Sequence, residues 1–291
     1  MASVIAVYIP IRNNVVWCQN VVLPGGLKFI AFDNASTDGS GDALRKRGVE
    51  VVSHANDVGR VGNWTACVDH FVASEAPWMK WLFAGDVLDP DFLRTAETAI
   101  LAEPRARIIL GDYIHVAADG RHRVRPFPSG RLVEPEEGLR LSALGNWFHA
   151  PINQMFHREA VADGFDYGPF VWGADFYFCM TAASRVPTLY WPHNFGEFHA
   201  ISRAHFLSAP TTAHSLFEGA CIREIATARL KTIAHGGGDH HALSARIESD
   251  VLRQLLARSA SRNPGGRASL KVWRLLRRLR RTVGRSAAKK P

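Results

Sequence analysis

The sequence predicts an α/β fold in which a mostly parallel sheet is flanked by helices. Short apolar runs of strand length recur at residues 3–10, 28–32, 49–52 and 80–83. Helical or turn-rich segments separate these runs, and a strand–helix–strand order at this spacing is typical of parallel strands joined by crossover helices. With 291 residues, of which 47% are apolar, the chain can bury a large core.

The first strands lead into polar segments. The first run ends at Pro10, just before a polar loop at residues 12–14. The second enters residues 33–40, where seven of eight side chains are turn or helix-cap types. We predict a short helix over residues 41–47, a polar loop over residues 56–63 and a helix over residues 64–74.

The central stretch, residues 80–90, is an apolar run that ends in a carboxylate. Pro90 cannot extend a strand ladder, and a helical pattern begins just after it, so the strand must end near Asp86. Open α/β sheets bind ligands beyond the carboxyl ends of their strands, which places Asp86 for chemistry. The alternative is that Asp86 and Asp89 only end the strand and cap the next helix.

The second half alternates between strand and helix patterns. We predict a strand at residues 107–113, a long loop at 117–138, an apolar helix at 176–184, a terminal strand at 188–191 and a helix at 213–235. The predicted organisation has four parts: a sheet domain (residues 1–205), a helical extension (206–258), a linker (259–269) and a basic amphipathic tail (270–291).

Four motifs support a comparison with a known family. They are FDNASTDGS (residues 32–40), NDVGRVGNW (56–64), KWLFAGDVLDPDFL (80–93) and WGADFYF (172–178). In order and spacing the chain resembles a GT-A fold, family-two glycosyltransferase over residues 3–205. The resemblance implies a Rossmann-like GT-A sheet. It also implies an inverting enzyme that moves a sugar from a nucleotide-diphosphate donor to a glycan or lipid-linked saccharide acceptor in envelope polysaccharide synthesis.

The resemblance also implies roles for single residues. Asp33 would hold the nucleotide base, because a carboxylate can accept from a ring N–H. Arg60 and Asn63 would lie in a loop that closes over the base and ribose. Asp175 would be the catalytic base that takes the proton of the acceptor hydroxyl; its alternative role is the N-cap of the helix that follows. The nucleotide-sugar site would comprise Pro10, Asn13, Asp33, Arg60, Asn63 and Asp86.

A divalent cation, Mg²⁺ or Mn²⁺, is the cofactor that the resemblance implies. Asp86 matches the last acid of the family's metal-binding motif, and His199 resembles a later histidine near the diphosphate. The chain departs from the family in both acidic motifs: Phe83 and Gly85 stand where the pattern Asp-x-Asp-Asp has its first two acids, and Ala174 stands where an acid usually precedes Asp175. These departures motivate the alternative of a catalytically impaired sugar-nucleotide-binding protein with the same fold.

Charge is unevenly distributed along the chain. Residues 262–291 hold 11 of the 35 Lys and Arg and no acid, which leaves 24 basic against 27 acidic residues elsewhere. The acidic body argues against a nucleic-acid partner. The tail carries an apolar stripe that would lie on an anionic membrane surface. Its alternatives are a helix packed on the body or a nucleic-acid-binding arm. The stripe consists of Val272, Trp273, Leu276, Leu279 and Val283.

The sequence gives weaker signals for the cellular compartment of the protein and for the residues that contact the acceptor. No apolar run is long enough to span a membrane, no cleavable leader is visible, and the four cysteines lack CxxC spacing. We therefore expect a cytoplasmic protein, peripheral at the inner face of the membrane. One further group could either line an acceptor-sugar pocket or pack in the core: Trp147, Phe148, His149, Asn153 and Gln154.

Overall fold

The structure is a computed structural model that describes residues 4–200 and 213–233. The part of the predicted extension after residue 233, the linker and the basic tail lie outside the described residues. The strands are β1 (Ile5–Ile11), β2 (Lys28–Asp33), β3 (Glu50–Ser53), β4 (Trp78–Trp81), β5 (Val87–Leu88), β6 (Ile108–Ala117), β7 (Gly120–Val124), β8 (Arg131–Val133), β9 (Gln154–His157) and β10 (Thr188–His199). The α-helices are α1 (Val15–Asn20), α2 (Ser40–Arg45), α3 (Gly59–Ala73), α4 (Phe92–Ala102), α5 (Pro135–Leu144), α6 (Ala174–Ala183) and α7 (Ala213–Ile233).

One mixed sheet of ten strands organises the described residues, in the order β3-β2-β1-β4-β9-β6-β10-β5, with β7 beside β6 and β8 beside β10. The β3-β2-β1-β4 half is parallel, and β6 runs parallel to β10. β9 pairs antiparallel with both β4 and β6 and joins the two parallel parts. The predicted α/β class with flanking helices is confirmed.

Two predicted loops contain regular structure. The segment predicted as a loop at 117–138 holds β7, β8 and the start of α5. Its Gly, Pro and charged residues mark the turns between short edge strands, which carry few apolar residues because they bury little surface. Helix α3 begins at Gly59, so Arg60 and Asn63 lie on a helix and the predicted loop around them is wrong. Asp57 favours this earlier start, because its Oδ1 accepts from Gly59 N at 2.8 Å.

The core lies on both faces of the sheet. One apolar cluster packs residues of α3, α5, α6 and α7 against one face, and a second packs α1, α2 and α4 against the other. Helix α7 belongs to the first cluster through Ile222, Ala226 and Leu230. Among residues 4–200 and 213–233, no helix combines the length and apolar character that crossing a bilayer requires.

The carboxyl ends of the parallel strands meet at one edge of the sheet, here called the carboxyl edge. β1, β2, β3 and β4 all end there. β10 runs in the same direction as β6, which through β9 has the direction of β4. β10 therefore begins at the opposite edge of the sheet. Because α6 ends just before β10 begins, the helix ends near that opposite edge, and its first turn lies at the carboxyl edge. This topology brings the sequence motifs to one side of the molecule.

Candidate active site

Two loops form one wall of the carboxyl edge, one after β1 and the other after β2. Asn13 Oδ1 accepts from Thr37 N at 2.9 Å, and Asn13 N donates to Ser36 Oγ at 2.9 Å. Asn13 and Ala35 have left-handed backbone angles, with φ of 48° and 52°. Non-glycine residues in this region are uncommon and are held there by their surroundings. The two loops are therefore linked into one preorganised rim.

Asp33 ends β2 behind this rim and is 7% exposed. Its Oδ1 accepts from Ser36 N at 3.0 Å, and its Oδ2 would lie 2.4 Å from a Cβ placed on Gly41. The Asp33 carboxylate thus stabilises the loop that follows β2, and it leaves no room for a side chain at position 41. Pro10 is buried in β1 opposite Phe32 and acts through packing. The predicted contact between Asp33 and a base remains a prediction.

Arg60 lies in the first turn of α3 and reaches across the edge to the segment before α6. Its guanidinium donates to Val171 O, and its Cζ lies 4.9 Å from the ring centroid of Trp64 and 5.5 Å from that of Trp172. Burial lowers the pKa of Arg60, and the negative charge of Asp175 opposes that change. The cation therefore contacts two indole rings and interacts with the carboxylate predicted to be the base.

Asn63 has a structural position one turn further along α3. It is 4% exposed, its Nδ2 donates to Phe32 O at 3.0 Å, and its Oδ1 lies 3.0 Å from His54 Nε2. These bonds fasten α3 to β2 and to the end of β3. The observed contacts of Asn63 are thus internal, and its binding to a nucleotide remains a prediction.

The turn that carries Asp86 explains one departure from the family. β4 ends at Trp81, and Asp86 N then donates to Phe83 O at 2.9 Å, closing a four-residue turn. Gly85 occupies the third position with φ of 104°. A turn with positive φ at this position favours glycine. The missing acid at Gly85 therefore accompanies a backbone conformation that an aspartate would adopt only with strain.

Asp86 itself is fully buried and linked to two other segments. Its Oδ1 accepts from His199 N at 3.3 Å, and its main-chain oxygen accepts from Trp17 Nε1 at 2.9 Å. The N-cap of α4 is Asp91, so the capping role considered for Asp89 is wrong; Asp89 Oδ1 accepts from Asp91 N at 2.9 Å in the turn just before the helix. Both aspartates contact β10, Asp86 through His199 N and Asp89 through Asn194, whose Nδ2 donates to Asp89 Oδ2 at 2.5 Å. They differ in burial, because Asp86 is fully buried and Asp89 is half-buried.

Lys80 lies near Asp86 and was not anticipated. It is fully buried in β4, its Nζ donates to Pro151 O at 3.4 Å and to Ile152 O, and it lies 5.6 Å from the ring centroid of Phe92. Burial lowers the pKa of Lys80 to about 7, and the charge of Asp86 opposes this change. In the sequence, the one indication of this buried lysine is that a charged residue interrupts an apolar run.

His199 is oriented by a neighbouring carboxylate. Its Nε2 lies 2.8 Å from Glu197 Oε2, and Arg121 forms an ion pair with Glu197. Among the residues that the structure describes, no group of three His, Cys, Asp or Glu side chains could enclose a metal ion. The contact between Asp86 and His199 runs through the main-chain N of His199, and the binding of an ion by the two side chains remains a prediction.

Asp175 is the second residue of α6. The N-cap is Gly173, so the alternative role of Asp175 as the N-cap is wrong. Asp175 Oδ1 accepts from Phe176 N at 2.9 Å, and the carboxylate lies at the positive end of the helix, which stabilises its negative charge. Ala174, where the family has an acid, is fully buried. An acid at position 174 would therefore be removed from water, which is costly for a charged group.

The possible acceptor-pocket group belongs mostly to the core. Trp147, Phe148, Asn153 and Gln154 are each at most 7% exposed, which supports the packing alternative for these four. His149 differs from them because it has φ of 59° and lies 6.3 Å, between ring centroids, from Tyr113.

Comparison with solved structures decides the fold. The chain is similar to TarS 1–349 from S. aureus in complex with UDP-GlcNAc, with a TM-score of 0.56 and 13% identity over 84% of this chain and 70% of that chain. The chain has the GT-A fold. A second TarS 1–349 structure gives a TM-score of 0.53 and 16% identity over 96% of this chain and 91% of that one.

A longer TarS structure has a TM-score of 0.54 and 14% identity over 77% of this chain, which spans only 39% of that protein. No protein-family model matches the sequence, and no curated protein sequence matches it significantly. The GT-A likeness is therefore carried by structure at low sequence identity.

This GT-A fold brings some of the predicted site residues together at the carboxyl edge and places others in the packed interior. Asp86 and His199 are joined by a hydrogen bond, and Arg60 and Asp175 are linked by charge. Asn13 is tied to the loop that Asp33 shapes. Pro10 and Asn63 lie behind these groups in the packed interior.

Proposed function

We propose that this chain is an inverting glycosyltransferase that uses a nucleotide-diphosphate sugar as donor. The observation that carries the proposal is the position of Asp175, a carboxylate at the first turn of α6, beside Arg60 and on the same edge of the sheet as Asp86. A donor bound across this edge would have a base for the acceptor on one side and a group for its diphosphate on the other.

The reaction requires one proton acceptor. As the acceptor oxygen bonds to the anomeric carbon, the bond from that carbon to the diphosphate oxygen breaks, and the nucleoside diphosphate leaves from the opposite face. Asp175 takes the hydroxyl proton during this attack. Arg60 contributes a fixed positive charge beside Asp175. When bound, Mg²⁺ or Mn²⁺ neutralises charge on the departing diphosphate, and Asp86 and His199 are the residues that would hold it.

The donor class can be narrowed by direct binding. TarS was crystallised with UDP-GlcNAc, so UDP-sugars are the first donors to test, followed by GDP- and dTDP-sugars. A thermal-shift comparison with and without Mg²⁺ or Mn²⁺ measures which donor raises the midpoint of unfolding, because a ligand that binds only the folded chain stabilises it.

Asp175→Asn is the principal test of the proposed reaction. The change keeps the size of the side chain but removes the base, and general-base catalysis typically contributes about 100- to 10,000-fold. We therefore expect transfer to fall by at least about 100-fold while the dissociation constant of the donor stays within about twofold. Product formation and isothermal titration measure the two quantities.

A matched control is Asp119→Asn, because Asp119 has a 79% exposed side chain and lies in the turn between β6 and β7. Transfer at the wild-type rate by Asp175→Asn would show that the base is elsewhere. Donor binding by the wild type without transfer or hydrolysis would instead favour the catalytically impaired binding protein.

The acceptor is proposed to be a lipid-linked saccharide in envelope polysaccharide synthesis, used at the inner face of the membrane. The support is the composition of residues 262–291, which combine eight Arg, three Lys and an apolar stripe. Such a tail would bring the protein to an anionic surface that presents the acceptor.

A further inference from the structure

We propose that Glu218 is a positioning residue that holds the segment Val171–Gly173, and through it the base Asp175, in the geometry needed for transfer. The proposal rests on the proposed function. Glu218 lies on α7, in the predicted helical extension, outside all four motifs.

The contact of Glu218 is concentrated on a single oxygen. Its Oε2 accepts from three consecutive main-chain N–H groups: Val171 N at 3.1 Å, Trp172 N at 2.6 Å and Gly173 N at 2.7 Å. Consecutive N–H groups that point to one side form an anion-binding nest. Because the acceptor carries a full charge, these bonds are stronger than those between neutral groups.

The same segment is held from its other side. Arg60 on α3 donates to Val171 O, and the Trp172 ring lies over its guanidinium. A Cβ on Gly173 would lie 2.7 Å from Ile222 Cδ1, so α7 approaches the backbone as closely as a glycine allows. Ile222 is fully buried and has little room to move away. Helices α3 and α7 therefore clamp the three residues between them.

The clamp acts on the base because of its position in the chain. Gly173 is the N-cap of α6, and Asp175 is the second residue of that helix. The backbone that Glu218 holds therefore sets the direction in which α6 begins and the placement of the Asp175 carboxylate. Misplacement of a catalytic group by about 1 Å can reduce a rate by about 100-fold. We infer a role in the chemical step rather than in donor binding.

Glu218→Ala and Glu218→Gln test the proposal together. Alanine removes every acceptor, whereas glutamine keeps an oxygen acceptor without the charge. We expect kcat to fall by roughly 10- to 100-fold in the alanine variant and by less in the glutamine variant, with the donor KM within about twofold of the wild type. Glu97→Gln, an exposed position on α4, is the control and should change neither value.

Amide hydrogen exchange gives a readout that does not depend on activity. In Glu218→Ala the amides of Val171, Trp172 and Gly173 should exchange at least about tenfold faster, while those of α4 stay unchanged. Unchanged exchange at these three amides would overturn the clamp. Faster exchange with wild-type kcat would overturn its role in transfer. If the wild type itself transfers no sugar, the proposed function fails and the exchange data still decide whether the clamp exists.

Discussion

At the scale of single residues, a buried lysine is the most unusual feature near the site. Lys80 is fully buried, and its Nζ donates to two carbonyl oxygens. Removing an ammonium group from water is costly unless the group is paired, and the charge of Asp86 compensates only part of this cost. Burial therefore lowers the pKa of Lys80 to about 7 and couples its protonation to folding.

We predict that stability rises with pH because of Lys80. Between about pH 7 and pH 10.5 the unfolded chain binds a proton that the folded chain has released, so the free energy of unfolding increases with pH. The increase is at most about 1.4 kcal/mol per pH unit. The interval from pH 7 to pH 8.5 is suited to urea denaturation, because buried Cys18, whose pKa is raised to about 11 by burial, has the opposite effect at higher pH.

Lys80→Met should remove this increase, because methionine has a similar shape and no proton to release. Lys46→Met, an exposed position after α2, is the matched control and should retain it. An equal slope in Lys80→Met and the wild type would show that Lys80 is not the group responsible.

At the scale of elements, β6 and β10 approach each other closely at a glycine. A Cβ on Gly111 would lie 2.4 Å from ring atoms of Phe195, which is itself fully buried. The pairing of β6 with β10 is irregular between Tyr190 and Glu197. Gly111 therefore leaves room for the Phe195 ring within this irregular stretch of β10, which precedes His199.

We predict opposite effects for two glycine-to-alanine changes. Gly111→Ala should lower the free energy of unfolding by about 1–3 kcal/mol, because the added methyl group overpacks the Phe195 ring. Gly219→Ala should raise it by about 0.5–1 kcal/mol, because a Cβ at this position of α7 meets no atom within 4 Å and alanine favours a helix. Chemical denaturation measures both changes. A stable Gly111→Ala variant would show that the two strands can separate without cost.

At the scale of the whole molecule, the boundary between the core and the C-terminal part depends on whether packing or charge defines it. Helix α7 belongs by packing to the main core, since Ile222, Ala226 and Leu230 join its apolar cluster. The charge boundary lies much later, because the basic excess begins only at residue 262. The predicted separation of an extension at residue 206 therefore marks a change in sequence character, and α7 is packed on the same side of the sheet as α5 and α6.

We predict that residues 268–291 hold the protein on anionic membranes. Deleting them should abolish sedimentation with vesicles that contain phosphatidylglycerol, because each basic residue near such a surface contributes on the order of 1 kcal/mol. Vesicles of phosphatidylcholine alone are the control and should bind neither form. Equal sedimentation of the full chain and the deletion variant would reject the membrane proposal.

Much of the fold could be predicted from local signals. Apolar runs predicted β1, β2, β3, β4 and β6, and helical periodicity predicted α4, α6 and α7. The acidic and glycine-rich motifs predicted that one edge of the sheet carries the site. β5, β7 and β8 could not be predicted, because short edge strands bury few residues and lack a clear alternation of apolar and polar positions.

The sequence by itself determined the class of the fold and the order of the motifs, because these depend on residue type and short-range spacing. It also named the acids proposed for chemistry, through the family that those motifs resemble. Only the tertiary structure decided which of those groups meet. It placed Asn63 in internal bonds, buried Lys80 near Asp86 and brought Glu218 to amides 45 to 47 residues earlier in the chain. Contacts of that range depend on how helices pack across the sheet, and no local pattern in the chain encodes them.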